Sequence, residues 1–380
     1  MNGSITVGSV RGIKIRIHFS FLLILPFLAY IFGRTFVAAA RLARVPPEAL
    51  GGSPLLWGLG VAVALFLAVL VHELAHALYG RAKGAQVSDI TLLMIGGVSR
   101  MTEPPKRLRD EAVMALVGPL SSLVIGAAFY TLYRLVDTSS FDLRFALFYL
   151  AQLNLVLGVF NLLPAFPMDG GRVLRAVLAG RLGMVRGTRI AADLGKAVAA
   201  LLALLGVISF NLLLLIIAYF VYVGAEGEAR QVTLRAALGH VPVRDMMLAS
   251  ASSVDVNETL AAAAEKMLRE RRLSFPVRDR ERIVGVVSFD QIARVPLADR
   301  AAMQVRAIAI EVQALSPDDE VWDGVRALAK AHLPQLPVVE NGRLVGALRL
   351  DDVTRGLQLH ELLTSRGPEW RWPRRREVPA

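Results

Sequence analysis

Up to about residue 224 the chain alternates long apolar runs with short basic segments, and beyond it short helix and strand patterns take over. Residues 1–17 set Ile13, Ile15 and Ile17 against Lys14 and Arg16, the two-residue period of a short strand leading into a bilayer. Apolar runs follow at 18–33, 55–79, 111–133, 143–163, 190–207 and 212–223, which predicts about six membrane spans. No small-residue cleavage site follows the first run, so it reads as a span and not as a signal peptide. Residues 86–101 have β-type content interrupted by Gly96-Gly97 and flanked by Arg81, Lys83 and Arg100. They are too short to cross and predict a re-entrant hairpin, for which a plain cytoplasmic loop is the alternative. The third span carries Gly118-Pro119 with Ser121, Ser122, Gly126 and Ala127, small residues that allow close helix contact. Spans five and six, separated by Ser209-Phe210-Asn211, form a tight hairpin.

From Val241 onward a unit of about sixty residues occurs twice. The first copy holds Phe275-Pro276-Val277 and Gly285-Val286-Val287-Ser288, and the second holds Leu336-Pro337-Val338 and Gly346-Ala347-Leu348. Each reads as a helix, a Pro-Val strand, a turn and a glycine-containing strand that runs into a helix. The expected fold class is therefore an α-helical polytopic membrane protein with a C-terminal soluble α/β module. Its parts are a membrane domain at 1–224, a linker at 225–240, repeats at 241–298 and 299–362, and a basic tail at 363–380. The tail, with Trp370, Trp372 and Arg374 to Arg376, reads as a disordered end or a membrane-surface contact.

Composition narrows the chemistry. Hydrophobic residues make up 54% of the 380, and there is no cysteine, so neither a disulfide framework nor a thiolate zinc site can form. Any metal must be held by His and carboxylate. The net charge of +11 does not indicate nucleic acid, because the basic residues lie mostly in short segments between apolar runs. They crowd one side, with Arg81, Lys83, Arg100, Lys106, Arg107 and Arg109 all between the second and third spans. That side is cytoplasmic by the positive-inside rule, which places both termini and the repeats in the cytoplasm.

The second span ends in His72-Glu73-Leu74-Ala75-His76. Two histidines four apart on a helix project about 40° apart, so both imidazoles can reach one ion, and Glu73 stands beside the open coordination position, where it can take a proton from water. A structural polar network is the bland alternative, but ionisable groups inside hydrocarbon are costly and mark function by default. His18, Asp193 and Lys196 read as interfacial residues. The fourth span ends in Asn161-Leu162-Leu163-Pro164-Ala165-Phe166-Pro167-Met168-Asp169-Gly170-Gly171. An Asp before Gly-Gly is ordinarily a turn former. The orientation, however, brings spans two and four down to the same leaflet, so Asp169, held on a stiff unwound segment, can supply a third ligand and leave the fourth position to water.

The pair His72-Glu73-x-x-His76 and Asn161-x-x-Pro164-x-x-Pro167-x-Asp169-Gly170 resembles the site-2 protease family of intramembrane zinc metalloproteases over residues 1–224. The resemblance implies cleavage of a single-pass transmembrane protein within or near the lipid bilayer. It implies one zinc on His72, His76 and Asp169, with Glu73 as general base and acid and Asn161 as a hydrogen-bonding support near the substrate or oxyanion. The C-terminal repeats resemble a tandem pair of cystathionine-β-synthase (CBS) domains, which implies a regulatory or homodimer-forming module and an adenine nucleotide as ligand. The ribose pattern of that module, Gly-x-hydrophobic-Thr/Ser-x-x-Asp, is incomplete in both copies. The first has Ser288 but Gln291 in the acidic place, and the second has Asp352 but Arg349 in the hydroxyl place. Two other classes remain open: a metal-dependent transporter, which has no need of a Glu after His72, and a catalytically silent membrane scaffold whose repeats sense a ligand.

Overall fold

The computed structural model describes residues 3–46, 50–94, 96–103, 105, 107–137, 141–249 and 252–364. The tail with Trp370 and Trp372 lies outside the described residues. The chain divides into two units, Met1–Val232 and Thr233–Ala380.

The first unit opens with β1 (Ser4–Val10) and β2 (Ile13–His18), followed by α1 (Phe19–Leu42), α2 (Pro54–Ala82), β3 (Gln86–Leu93) and β4 (Gly96–Glu103). Then come α3 (Leu108–Leu135), α4 (Phe141–Asn161), α5 (Asp169–Leu182), α6 (Met184–Ile208) and α7 (Leu212–Leu238). Among the described residues, the six helices long and apolar enough to cross a membrane are α1 to α4, α6 and α7. The protein is thus an α-helical polytopic membrane protein.

Three local expectations change. The N-terminal alternation is a hairpin of two strands, because Arg11 and Gly12 both take positive φ (47° and 82°) and turn the chain. The first span runs on to Leu42, since the Thr35 hydroxyl donates to the Ile31 carbonyl (3.0 Å) and the Arg34 guanidinium lies 5.9 Å from the Tyr30 ring centre. These contacts satisfy the polar groups whose presence suggested an earlier end. His18 caps that helix, its ring nitrogen accepting from the Ser20 backbone N–H. The last span continues as α7 well past Gly224. There Glu226 pairs with Arg230 on its own helix (2.8 Å) and with Lys196 of α6 (2.6 Å), so charge stabilises the helix instead of ending it.

The four strands form one sheet in the order β1-β2-β3-β4, with β2 and β3 parallel and the outer pairs antiparallel. Residues 86–101 are a hairpin, as the Gly96-Gly97 break suggested. Ile13 and Ile90 of the sheet are buried against Ala77 of α2, which seats the sheet on the end of α2 that carries the histidines. At the other end of α2, Val61 and Ala62 pack with Phe32 of α1 and with Ala146 and Leu150 of α4.

The second unit holds α8 (Val243–Met246), β5 (Leu248–Ala249), β6 (Val254–Asp255), α9 (Leu260–Glu270), β7 (Ser274–Asp279), β8 (Arg282–Ser288) and α10 (Phe289–Ala293). It closes with α11 (Val321–Ala331), β9 (Gln335–Glu340), β10 (Arg343–Arg349) and α12 (Leu350–Thr364). Its two sheets, β6-β7-β8 and β5-β10-β9, are not each made from one repeat. The early strand β5 pairs with β10 of the second repeat, while Ile310 exchanges backbone hydrogen bonds with Val286 of the first (2.9 and 3.0 Å). Gly285 and Gly346 make this exchange fit, because a Cβ at either would come within 2.6 Å of the visiting strand's carbonyl.

Candidate metal centre

His72 and His76 lie one turn apart on α2, 4% and 7% exposed. Their Nε2 atoms are 3.1 Å from each other and 3.2 and 3.1 Å from Oδ2 of Asp169. Three lone-pair atoms thus meet at the corners of a near-equilateral triangle. Zinc bonds of about 2.0–2.1 Å in a tetrahedron put ligand atoms roughly 3.3 Å apart, so the donor set and its spacing both fit zinc. Among the described residues, these three alone form a cluster of His and carboxylate groups able to share an ion.

The remaining ring nitrogens explain why the Nε2 atoms face inward. His76 Nδ1 is 2.6 Å from the Met114 carbonyl, an acceptor only, so Nδ1 carries the hydrogen and the Nε2 lone pair is left for a metal. His72 Nδ1 pairs with the Ser122 hydroxyl at 2.9 Å. Both partners belong to α3. Gly118, between them on that helix, touches the His76 ring so closely that a Cβ there would overlap it. The small residues of the third span therefore admit the imidazoles as well as bringing helices together.

Asp169 is the first residue of α5 and does not lie in an unwound segment, which corrects the sequence expectation. The turn occupies residues 162–168, and Gly170 and Gly171 let α5 start against it, close to the Leu162, Leu163 and Ala165 carbonyls.

Glu73, half-buried beside this triangle, accepts a 2.6 Å hydrogen bond at Oε2 from the Ser99 hydroxyl of β4. Gly97 of the same strand lies against it, and a Cβ there would stand 2.5 Å from Glu73 Cγ. Ser99 and the Met114 carbonyl were not singled out by the sequence, and Ser122 was read there only as a small residue allowing close helix contact. The one hint was spacing, since Gly118 and Ser122 are four apart on α3 just as the histidines are on α2. Asn161 ends α4 with its amide donating to the Leu157 carbonyl of its own helix (2.9 Å). The structure does not join it to the three ligand atoms.

In the repeats, Ser288 caps α10, and Gln291 completes the cap by accepting from the Ser288 N–H (2.6 Å) and donating to the Ile308 carbonyl (3.1 Å). Asp352 faces the Arg349 guanidinium at 3.9 Å, and Arg349 also reaches Asp351 at 3.3 Å. At the ribose pattern, neither copy joins a hydroxyl to an acid.

A His-Glu-x-x-His helix joined by an Asp from another helix, within a bundle of apolar spans, defines the class of polytopic membrane zinc metalloproteases. Comparison with known proteins agrees. Residues 60–141 and 136–205 match Peptidase family M50, and residues 243–298 and 305–359 each match the CBS domain. A zinc metalloprotease of Methanocaldococcus jannaschii is 31% identical over 95% of this chain and 98% of its own. A relative named Rip3 from Mycobacterium tuberculosis is 31% identical over 95% of both. The solved site-2 protease of Methanocaldococcus jannaschii, 34% identical, covers 60% of this chain and 95% of its own with a TM-score of 0.43. The chain belongs to peptidase family M50, the site-2 proteases, and carries tandem CBS domains.

Proposed function

We propose that the protein is an intramembrane endopeptidase that cuts single-pass transmembrane proteins within or near the bilayer. The observation that carries this reading is the meeting of His72, His76 and Asp169 with Glu73 held alongside by β4. Zinc at the three ligands supplies Lewis acidity toward the scissile carbonyl and the attacking water. Glu73, with one oxygen fixed by Ser99, takes a proton from that water and returns it to the leaving amine. The buried imidazoles keep their Nε2 atoms turned to the ion through Met114 and Ser122. Asn161 supports the substrate near the scissile carbonyl once its amide leaves the Leu157 carbonyl.

A transmembrane helix has its backbone paired and must unwind before it can be read. β4 is an edge of its sheet, with Gly97 and Ser99 toward Glu73 and Val98 46% exposed. An extended substrate segment added to that edge lies beside the base. The distribution of basic residues supports a cytoplasmic site, cytoplasmic termini and a cytoplasmic CBS pair acting as a regulatory or dimerisation module.

Glu73→Gln tests the reading against its rivals. An enzyme keeps its zinc and loses cleavage by about 10²- to 10⁴-fold, the usual worth of a general base. A transporter or a silent scaffold keeps its function.

A further inference from the structure

α5 enters the site on a platform made by α6 and α7, neither of which supplies a ligand. In the turn before Asp169, the fully buried Phe166 donates its backbone N–H to the Ala191 carbonyl of α6 at 3.0 Å. Pro167 rests on Gly224 of α7, where a Cβ would come within 2.8 Å of its ring. One turn into α5, Arg172 donates to Glu228 of α7 at 3.0 Å. Arg175 lies 3.5 Å from the same carboxylate, pairs with the buried Glu111 of α3, and holds its guanidinium 5.1 Å from the centre of the Phe166 ring.

The Arg175–Glu111 pair is buried and Glu228 is half-buried; ion pairs taken out of water contribute little net stability, and their best-attested use is to fix register. Register matters at this point in the chain. Asp169 opens α5, and the residue before it, Met168, offers no side-chain cap, so the ligand's height relative to His72 and His76 depends on what the turn and α5 are packed against.

We propose that Glu228 and Gly224 are positioning residues for zinc: α7 sets Asp169 in register with the two histidines through Arg172, Arg175 and Pro167, without touching the ion. This rests on Asp169 being the third ligand. It makes metal affinity a property of α7 as well as of the three ligands.

The test is zinc affinity of the full-length protein in detergent, measured by competition with a chelator and needing no substrate. Glu228→Gln and Gly224→Ala should each weaken zinc binding by about ten- to a hundredfold, the usual effect of losing an outer support. Gly227→Ala, on the same helix with open space around its Cβ, should change nothing. Combined with Asp169→Ala, Glu228→Gln should produce no further loss, because its effect passes through that ligand. Affinity within twofold of wild type in Glu228→Gln, or losses that add fully in the double variant, would overturn the proposal while leaving the site assignment intact. Unchanged affinity in Asp169→Ala would instead remove the ligand assignment on which the proposal stands.

Discussion

Ser99 of β4 donates a 2.6 Å hydrogen bond to Glu73 of α2, and this contact ties the sheet to the proposed general base. A carboxylate held by one oxygen presents the other in a fixed direction. Ser99→Ala should therefore lower kcat by about tenfold or more with KM and zinc content unchanged, and Ser99→Thr should restore most of the loss. Equal rates in wild type and Ser99→Ala would show that Glu73 needs no such hold.

Metal content should be one zinc per chain. The double variant His72→Ala, His76→Ala and the single variant Asp169→Ala should lose both zinc and activity, whereas Asp193→Ala, with a side chain 63% exposed, should keep both. Elemental analysis of the purified proteins decides it. Zinc retained by the double variant places the ion elsewhere.

Gly118→Ala should lose zinc although residue 118 is no ligand, because the added methyl occupies the space of the His76 ring. Gly60→Ala, whose Cβ meets nothing, is the control and should gain slight helix stability, about 0.5–1 kcal/mol. A zinc-replete Gly118→Ala protein would mean that the ring can move aside without losing the metal.

Strand addition makes two linked predictions. Val98→Pro takes a backbone donor from β4 and should slow cleavage at unchanged zinc content. Helix-breaking residues in the substrate's span should accelerate it, since unwinding is then partly done. If Val98→Pro cleaves normally and substrate helicity makes no difference, the hairpin does not receive the substrate.

In the second repeat, Arg349 stands in the hydroxyl's place 3.9 Å from Asp352, so adenine nucleotide should bind the native protein weakly. Arg349→Thr removes the neighbouring cation and supplies the missing hydroxyl, and calorimetric titration with AMP should then show at least tenfold tighter binding. In the first repeat Ser288 is committed to its cap, and Ser288→Ala should cost about 1 kcal/mol of stability. Tight AMP binding by the native protein would show that Arg349 does not block the site.

What could be read from the chain follows from the range of each signal. The six spans and the His-Glu-x-x-His helix are local patterns of hydropathy and spacing, and they stand where expected, although the first and last spans run further than their hydropathy suggested. Asp169 was drawn to the histidines by orientation alone, since both helices point to one side. The start of α5 at Asp169 was not legible, because Gly170 and Gly171 suggest a turn until their close fit against the Leu162 and Ala165 carbonyls is seen. Ser99 is unremarkable in sequence and Ser122 reads only as a small helix-contact residue, because their roles depend on partners 26 and 50 residues away.

The exchange of Leu248 and Ile310 between the two sheets has a consequence for heredity. Each CBS repeat lacks a sheet neighbour unless the other is present, and the second repeat's core also takes in Leu238 from before the first and Val241 and Val243 from its start. Deleting, duplicating or transplanting one repeat would expose unpaired strand edges on both. The pair can pass between genes only whole, and a protease nick between the repeats would leave two fragments that stay clasped.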